Sequence, residues 1–358
     1  MPNSQPLSPS DPRLSSALPP LTVWLLCDDK AGTLNQARGL AERLAGLLPR
    51  PLDVQEHRAR AIVPFKFLPA RLWEFFGIRC VIAALIPPLA PPWPDLVIAA
   101  GRSAVAPAAA IRRVSHGKTR VVALQNPRLP LARFDLVIAP IHDGLAGENL
   151  VALAGAPHRI SAARLAEAKA QPPADLAALK AEAHAAGKPF VAVLLGGNSA
   201  RYRFDSATAD RLARNLAALA ETGARLAITP SRRTPPDAIA RLQAALRPYP
   251  HFWWDGTGEN PYLPLLALAD HLLVTGDSVS MLSEAASTGR PVYRIDLPGK
   301  PGKFARFHRR LESLGLVRPF TGVLIETVPP PFDETGRAAA AVAALFPAGA
   351  FPPDQKSV

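Results

Sequence analysis

Short, nearly uninterrupted apolar runs separated by helix-like segments constrain this chain more than any other feature. LTVWLLC (21–27), PDLVIAAG (94–101), TRVVALQ (119–125) and FDLVIAP (134–140) fall in the first half. PFVAVLLGG (189–197), ARLAITPS (224–231), HFWWDG (251–256), DHLLVTGD (270–277) and RPVYRID (290–296) follow in the second. A strand with water on one face alternates apolar and polar residues, whereas runs without alternation are buried on both faces, as in parallel sheets covered by helices. Between them, Leu40, Leu44 and Leu47 recur at helical spacing, and residues 206–220 and 236–246 read as helices. Strand and helix alternating through both halves predicts an α/β protein of two Rossmann-like, doubly wound domains facing across a cleft. Ligands of such sheets sit at the carboxyl ends of the strands.

Length agrees, because 358 residues exceed the roughly 250 that one core usually serves. The expected division is a disordered tail over 1–20, a first domain over 21–172, a linker over 173–188, a second domain over 189–325, and a C-terminal helix and tail over 326–358. The linker is placed where the composition turns to Ala, Lys, Glu and Pro. A net charge of +12 implies attraction to something anionic. No aromatic-rich RNA motif, zinc-finger spacing or long basic run accompanies it, so nucleic acid is not an expected partner. Two cysteines without a CxxC or a histidine cluster argue for a reducing compartment without a disulfide framework or structural metal. The N-terminus lacks the basic-then-apolar order of a signal peptide, and the expected location is the cytoplasm.

Residues 64–94, PFKFLPARLWEFFGIRCVIAALIPPLAPPWP, are strongly apolar, yet Arg71, Glu74 and Arg79 interrupt them and leave no uncharged stretch long enough to span a bilayer. Two readings stay open. The segment is a buried helical insertion, or a surface patch on which Lys66, Arg71 and Arg79 meet the anionic headgroups of an inner membrane face.

Chemistry-bearing residues gather at the predicted strand ends. In the second half, Gly276 permits a tight turn, and Asp277 or Ser278 caps a helix whose N-terminus suits a phosphate. Ser280, Ser283, Glu284 and Ser287 share one stripe of that helix, with Glu284 suited to ribose hydroxyls. The turn Gly196, Gly197, Asn198, Ser199 allows close approach of backbone to an anion. Ser231, Arg232 and Arg233 offer a guanidinium clamp for a diphosphate. In the first half, Asp28 or Asp29 is a candidate base on a hydroxyl, with Lys30, Gln36, Arg102, Ser103, Gln125 and Asn126 suited to an acceptor. His142 and Asp143 close the set. Helix capping by Asp28 or Asp29, and a structural role for His142, stand beside these readings. No DxD between apolar runs, HExxH, GxSxG or Walker A sequence is present, so no metal site is expected and sugar transfer, if it occurs, is metal-independent.

These residues lie in runs that carry a resemblance. NPYLPLLALADHLLVTGDSVSMLSEAASTGRPVYRIDLPGKPGKFARFH, GGNSARYRF, ITPSRRTP, DDKAGTLNQARGLAERL and QNPRLPLARFDLVIAPIHDG resemble the mitochondrial fission (elongated mitochondria) protein family, which has many bacterial members. More distantly, the second half is similar to the nucleotide-sugar domain of GT-B glycosyltransferases and non-hydrolysing sugar epimerases. Ala269, Asp270, Gly276, Ser278, Glu284, Ala285, Gly289, Pro291 and Val292 match its pattern. The resemblance implies a donor site for a nucleotide-diphosphate sugar built from Gly197, Ser231, Arg232, Ser278, Ser280 and Glu284, with acceptor and base supplied by the first domain. It implies a metal-independent glycosyltransferase acting on a cell-envelope or lipid-linked acceptor. A nucleotide-sugar epimerase, or a non-catalytic adaptor like the plant members that recruit fission machinery, are the alternatives. A catalytic His loop that some GT-B enzymes carry after their first strand is replaced here by Asp28 and Asp29.

Overall fold

The computed structural model describes residues 19–300 and 302–347. Most of the expected N-terminal tail, and the chain beyond 347, lie outside them. In the first half the elements are β1 (Leu21–Cys27), α1 (Ala31–Ala45), β2 (Leu52–Arg58), α2 (Ile78–Ala83), β3 (Leu96–Ala100), α3 (Val105–Val114), β4 (Arg120–Leu124), β5 (Leu136–Pro140) and β6 (Leu150–Leu153). Its six strands are ordered β2-β1-β3-β4-β5-β6, and every pairing is parallel.

A crossing segment and α4 (Ala162–Ala170) lead to the second half. There α5 (Ala174–Ala185), β7 (Phe190–Leu195), α6 (Ser206–Glu221), β8 (Arg225–Pro230), α7 (Pro236–Leu246), β9 (His251–Trp253), α8 (Tyr262–Leu268), β10 (His271–Thr275), α9 (Val279–Ala286), β11 (Val292–Ile295), α10 (Lys303–Ser313) and β12 (Val317–Pro319) follow. The second sheet is also six-stranded and parallel, ordered β12-β11-β10-β7-β8-β9. The chain is therefore α/β, with two Rossmann-like sheets in the GT-B manner.

The apolar runs are the central strands. All of β3 and β7 is buried, and each sheet has one apolar cluster on either face, as unalternating strands require. Each buried Val, Leu or Ile contributes about 1.5–3 kcal/mol relative to an exposed one. Strands β2 and β12 have no such run, and that of β6, LVAL, is short and mostly half-buried. β2, LDVQEHR, is a largely exposed edge, and β6 and β12 are four and three residues long. Edge position and brevity remove the signal.

The stretch expected as a polar connector over 173–188 contains α5, which buries Leu176, Leu179 and Ala183 in the second core. It is thus a layer helix of the second sheet. After β12 the chain returns to the first half, where α11 (Glu334–Ala343) buries Ala338, Ala339 and Val342 beside Leu40 and Leu44 of α1. Arg43 pairs with Asp333 there. The Glu334 carboxylate accepts from the backbone N–H groups of Ala154 and Gly155, which ties the crossing segment down.

Residues 64–94 are neither fully buried nor one continuous helix. A 3-10 turn over Ala70–Phe76 and the short α2 send Trp73, Val81 and Ile82 inward and leave Phe67 and Phe75 outside. Among the described residues no helix is long and apolar enough to cross a membrane.

Candidate functional site

Each sheet has a point where strand order reverses, and there neighbouring strands feed helices on opposite faces and leave a crevice. In the first sheet it lies between β1 and β3. Asp28 follows β1, and its carboxylate rests against Gly101 after β3, where φ is +97° and a β-carbon would overlap the carboxylate. Asp28 accepts hydrogen bonds from the Thr33 hydroxyl (2.5 Å) and the Lys30 backbone N–H (3.3 Å), with the Lys30 ammonium 3.7 Å away. The side chain keeps 14% of its surface exposed.

That exposed part faces a cavity of about 1110 Å³. Its wall includes Asp28, Lys30, Gln36, Arg102, Gln125 and Asn126, and from the other side of the cleft Val279, Lys303 and Phe304. Gln125 donates to Gln36 through their amides (3.0 Å) and holds φ at +68°, a left-handed conformation uncommon without glycine. The Asn126 side chain accepts from the Arg128 N–H (2.9 Å) and shapes the turn. Arg102 donates to the carbonyls of Phe67 and Leu68, so it braces residues 64–94 while lining the cavity. Five cationic side chains, Lys30, Arg71, Arg102, Arg128 and Lys303, face two acidic ones, Asp28 and Asp143, which biases the cavity toward an anionic ligand. The guanidinium groups of Arg71 and Arg128 have no hydrogen bond or ion pair among the described residues.

His142 is buried on the same wall, edge-on to Phe307 at 5.7 Å. Burial holds its imidazole below the usual histidine range, against the opposing pull of Asp143, so it is neutral at pH 7. Its carbonyl accepts from Arg306 (2.6 Å), and Asp143 pairs with Lys303 (2.8 Å). These contacts clamp the end of β5 to α10 across the cleft.

The second reversal lies between β7 and β10. Here the glycine turn does approach an anion closely, but the anion belongs to the chain. The Asp277 carboxylate, with 0% of its side chain exposed, accepts from the Gly197 N–H (3.1 Å) and pairs with Arg233 (2.7 Å). A β-carbon at Gly196 would overlap that carboxylate, and one at Gly197 would overlap the backbone of Arg233 and Thr234. Among the described residues Asp277 Oδ1 has no hydrogen-bond partner. The Asn198 side chain accepts from the Phe204 N–H, and Ser231 Oγ accepts from the Arg233 N–H. The Gly276 carbonyl accepts from buried His308 (2.8 Å), whose pKa burial lowers to about 4. Arg232 is exposed and makes no hydrogen bond or ion pair among the described residues.

Ser278, not Asp277, caps α9, accepting from the Met281 N–H at 3.3 Å. The expected open stripe of Ser280, Ser283, Glu284 and Ser287 is not solvated along its length. Ser283 is buried, donates to the Val279 carbonyl (2.8 Å) and accepts from the Ala156 N–H of the crossing segment (2.9 Å). Glu284 accepts from the Tyr262 hydroxyl, and burial raises its pKa to about 7. Ser280 is partly exposed at the cleft end of the helix.

The structure thus joins Asp28, Lys30, Gln36, Arg102, Gln125, Asn126 and His142 on one cavity wall. It separates Asp29, which turns outward to Arg60 (3.1 Å) and Arg58 (3.6 Å), and Ser103, which lies off that wall. None of Gly196, Gly197, Asn198, Ser231, Arg232, Gly276, Ser278, Ser280 and Glu284 lines the cavity. Thr33, Lys303 and Tyr262 were not singled out from sequence. Tyr262 and Lys303 have no local signal, because their partners lie 22 and 160 residues away.

Comparison with known proteins agrees with this architecture. Among solved structures, a putative UDP-N-acetylglucosamine 2-epimerase from Listeria monocytogenes superposes with a TM-score of 0.54 at 12% identity, over 94% of this chain and 99% of that one. UDP-GlcNAc 2-epimerase from Neisseria meningitidis gives 0.51 at 14% identity, with 91% of each chain covered. MurG from Acinetobacter baumannii gives 0.51 at 11%, over 92% and 91%. At these identities the likeness is one of fold. In sequence, the Arabidopsis thaliana mitochondrial fission protein ELM1 is 33% identical over 273 residues, 69% of this chain and 62% of the plant protein, so the match spans less than two thirds of that relative. An uncharacterized Rickettsia prowazekii protein is 27% identical over 312 residues, 76% of this chain and 82% of its own. The family model described as mitochondrial fission ELM1 matches residues 31–346, and the chain belongs to that family.

Proposed function

We propose that this protein binds a nucleotide-diphosphate sugar in the cleft and transfers the sugar to a hydroxyl held in the first-domain cavity. One observation carries the reading: Asp28, at the reversal point of the first sheet, lies on the wall of a cation-rich cavity that reaches Val279 and Lys303 of the facing domain. In this reaction the acceptor oxygen bonds the anomeric carbon and its proton passes to the Asp28 carboxylate. The bond from that carbon to the diphosphate oxygen breaks, and the negative charge left on the diphosphate meets the α9 N-terminus, Lys303 and Arg128. Asp28 replaces Asp29 as the preferred base, because Asp29 is occupied by Arg58 and Arg60 outside the cavity. The N. meningitidis epimerase, solved with UDP-GlcNAc, supports the donor class through the shared fold.

The test is a thermal-shift screen with UDP-, GDP-, CMP- and dTDP-sugars. A ligand at a hundred times its Kd stabilises by about 2.7 kcal/mol, which moves the melting temperature by several degrees. If none moves it, the donor claim fails. With a donor in hand, Asp28→Asn is expected to keep the shift and lose turnover, and unchanged turnover removes Asp28 as base. Interconversion of the sugar nucleotide without transfer would assign the epimerase reaction to the same cleft.

A second reading, a non-catalytic adaptor, is favoured by the sealed notch at Asp277. A carboxylate already fills the Gly196–Gly197 turn, which argues against a phosphate there. Absence of any shift in the screen is its expected result.

A further inference from the structure

Residues 62–86 leave the first domain and return to it, closed at the base by the antiparallel bridge of Ala61 with Leu85 and by the Ile86 N–H donating to the Arg60 carbonyl (2.9 Å). The two faces of this excursion differ. Inward, Phe65, Trp73, Val81, Ile82 and Leu85 join the core, and Phe65 packs edge-on to Trp73 at 4.8 Å. Outward, Phe75 is 84% exposed, Phe67 71% and Val63 69%, with Phe76 and Ile86 also open to solvent. Of the twelve large apolar side chains exposed among the described residues, six belong to this one excursion, so the exposure is concentrated there rather than scattered along the chain.

Charge identifies the occupant. Lys66, Arg71 and Arg79 are exposed on the same excursion, and the Lys66 ammonium lies 5.9 Å from the centre of the Phe67 ring. Glu74 is the single acidic residue over 64–94, and the whole chain carries +12. A second copy of the chain, meeting this patch with its own, would set these cations against themselves. Exposed aromatic side chains on the same excursion as exposed Lys and Arg match the interface of a bilayer whose headgroups are anionic.

We propose that this excursion docks the protein on an anionic lipid surface. Phe67 and Phe75 enter between the headgroups, and Lys66, Arg71 and Arg79 meet the lipid phosphates. Pro69, Ala70 and Arg71 belong both to the excursion and to the cavity wall, so docking sets the cavity mouth at headgroup level. An acceptor carried on a lipid phosphate then reaches the cavity without leaving the surface. That last step rests on the transfer reading above, whereas the docking does not.

Co-sedimentation with vesicles containing about 30% phosphatidylglycerol in phosphatidylcholine tests the docking. Wild type is expected to pellet with these vesicles, less so with phosphatidylcholine alone and less so at high salt. The double variant Phe67→Ser/Phe75→Ser should lower the partition coefficient roughly tenfold or more, and Lys66→Glu/Arg79→Glu should remove the preference for anionic lipid. The side chains are exposed, so the thermal midpoint should stay at the wild-type value. Failure of wild type to bind anionic vesicles, or wild-type binding by the Phe double variant, overturns the proposal. So does sedimentation equilibrium that finds a dimer which the Phe double variant dissociates. The double variant's thermal shift with nucleotide sugars reports on the donor site alone, so the two readings fail separately.

Discussion

The two sheets place the same pair of groups at their reversal points and use it in opposite ways. At the first, Asp28 packs its carboxylate against Gly101, and at the second Asp277 packs against Gly196. Asp28 keeps part of its surface open to a cavity, whereas Asp277 is shut in by Arg233 and the Gly197 N–H. Around Asp28 the cations Arg71 and Arg128 have no side-chain partners among the described residues, and Gln125 is held in a strained backbone conformation. Around Asp277 many polar groups bond to other parts of the protein, Thr234 to the Gly196 carbonyl, Ser283 to Ala156, Glu284 to Tyr262 and His308 to Gly276, although Asp277 Oδ1 and Arg232 have no partner among the described residues. A crevice whose polar groups satisfy one another is part of the scaffold. One whose polar groups are left over has capacity for a ligand.

The largest contrast is between a packed glycine of the second edge and an open one of the first, where Gly101 alone is packed as Gly196 is. Gly197→Ala forces a β-carbon into the backbone of Arg233 and Thr234, which cannot swing aside, and is expected to cost about 3 kcal/mol or to prevent folding. Gly32, in α1 on the cavity wall, has nothing within 4 Å of the position a β-carbon would take. Gly32→Ala should therefore stabilise by about 0.5–1 kcal/mol through helix propensity. Urea unfolding of both variants measures the contrast, and equal effects would dissolve it.

Next in size is the seal itself. Arg233→Ala leaves the buried Asp277 carboxylate without its counter-charge and should cost about 2–3 kcal/mol. Arg233→Ala/Asp277→Asn removes the charge as well, so it should be less destabilised than the single variant. If the two are equal in urea unfolding, the ion pair does not hold the notch closed.

The pH dependence of the second edge follows from Glu284. Its folded-state pKa is raised to about 7 by burial, from an ordinary value of 4.5. The folded state thus holds a proton that the unfolded state has released, and stability falls as pH rises from about 4.5 to 7, then levels off. Glu284→Gln, which can still accept from Tyr262, should match wild type near pH 4.5 and exceed it by about 3 kcal/mol at pH 8. His308 has the opposite sign. Its neutral form is favoured by burial, so its contribution is complete above about 6.5 and declines toward 4. Urea midpoints for both proteins from pH 4 to 8.5 check this, and a constant difference would remove Glu284 as the cause.

The fold was readable because burial on both faces of a parallel strand leaves an uninterrupted apolar run. β2 escaped because its Gln55, Glu56 and Arg58 point to water at a sheet edge. The candidate site was readable only as far as strand ends: which residues follow β1, β3, β4 and β5 is a matter of sequence, and Asp28, Arg102, Gln125 and His142 do share one cavity. Direction was not readable. Asp28 and Asp29 are adjacent, yet one turns to the cavity and the other to Arg60, because successive side chains diverge as the strand ends. Nor does a serine stripe reveal that a segment more than a hundred residues earlier covers it, as Ala156 covers Ser283.

The smallest expected change in stability tests the open side of the comparison. Arg128 follows Gln125 by three positions, has φ at +56° and lines the cavity with a guanidinium that bonds to nothing among the described residues. Arg128→Ala removes no bond of that guanidinium, and its effect on unfolding should stay within about 0.5 kcal/mol. Arg128→Gly relieves the left-handed backbone as well and should stabilise by about 1 kcal/mol. Both variants should nevertheless weaken the thermal shift given by an anionic cavity ligand, since they subtract a cation from a wall that has five. Loss of stability with unaltered binding would make Arg128 a structural residue, and the first edge would then be as closed on itself as the second.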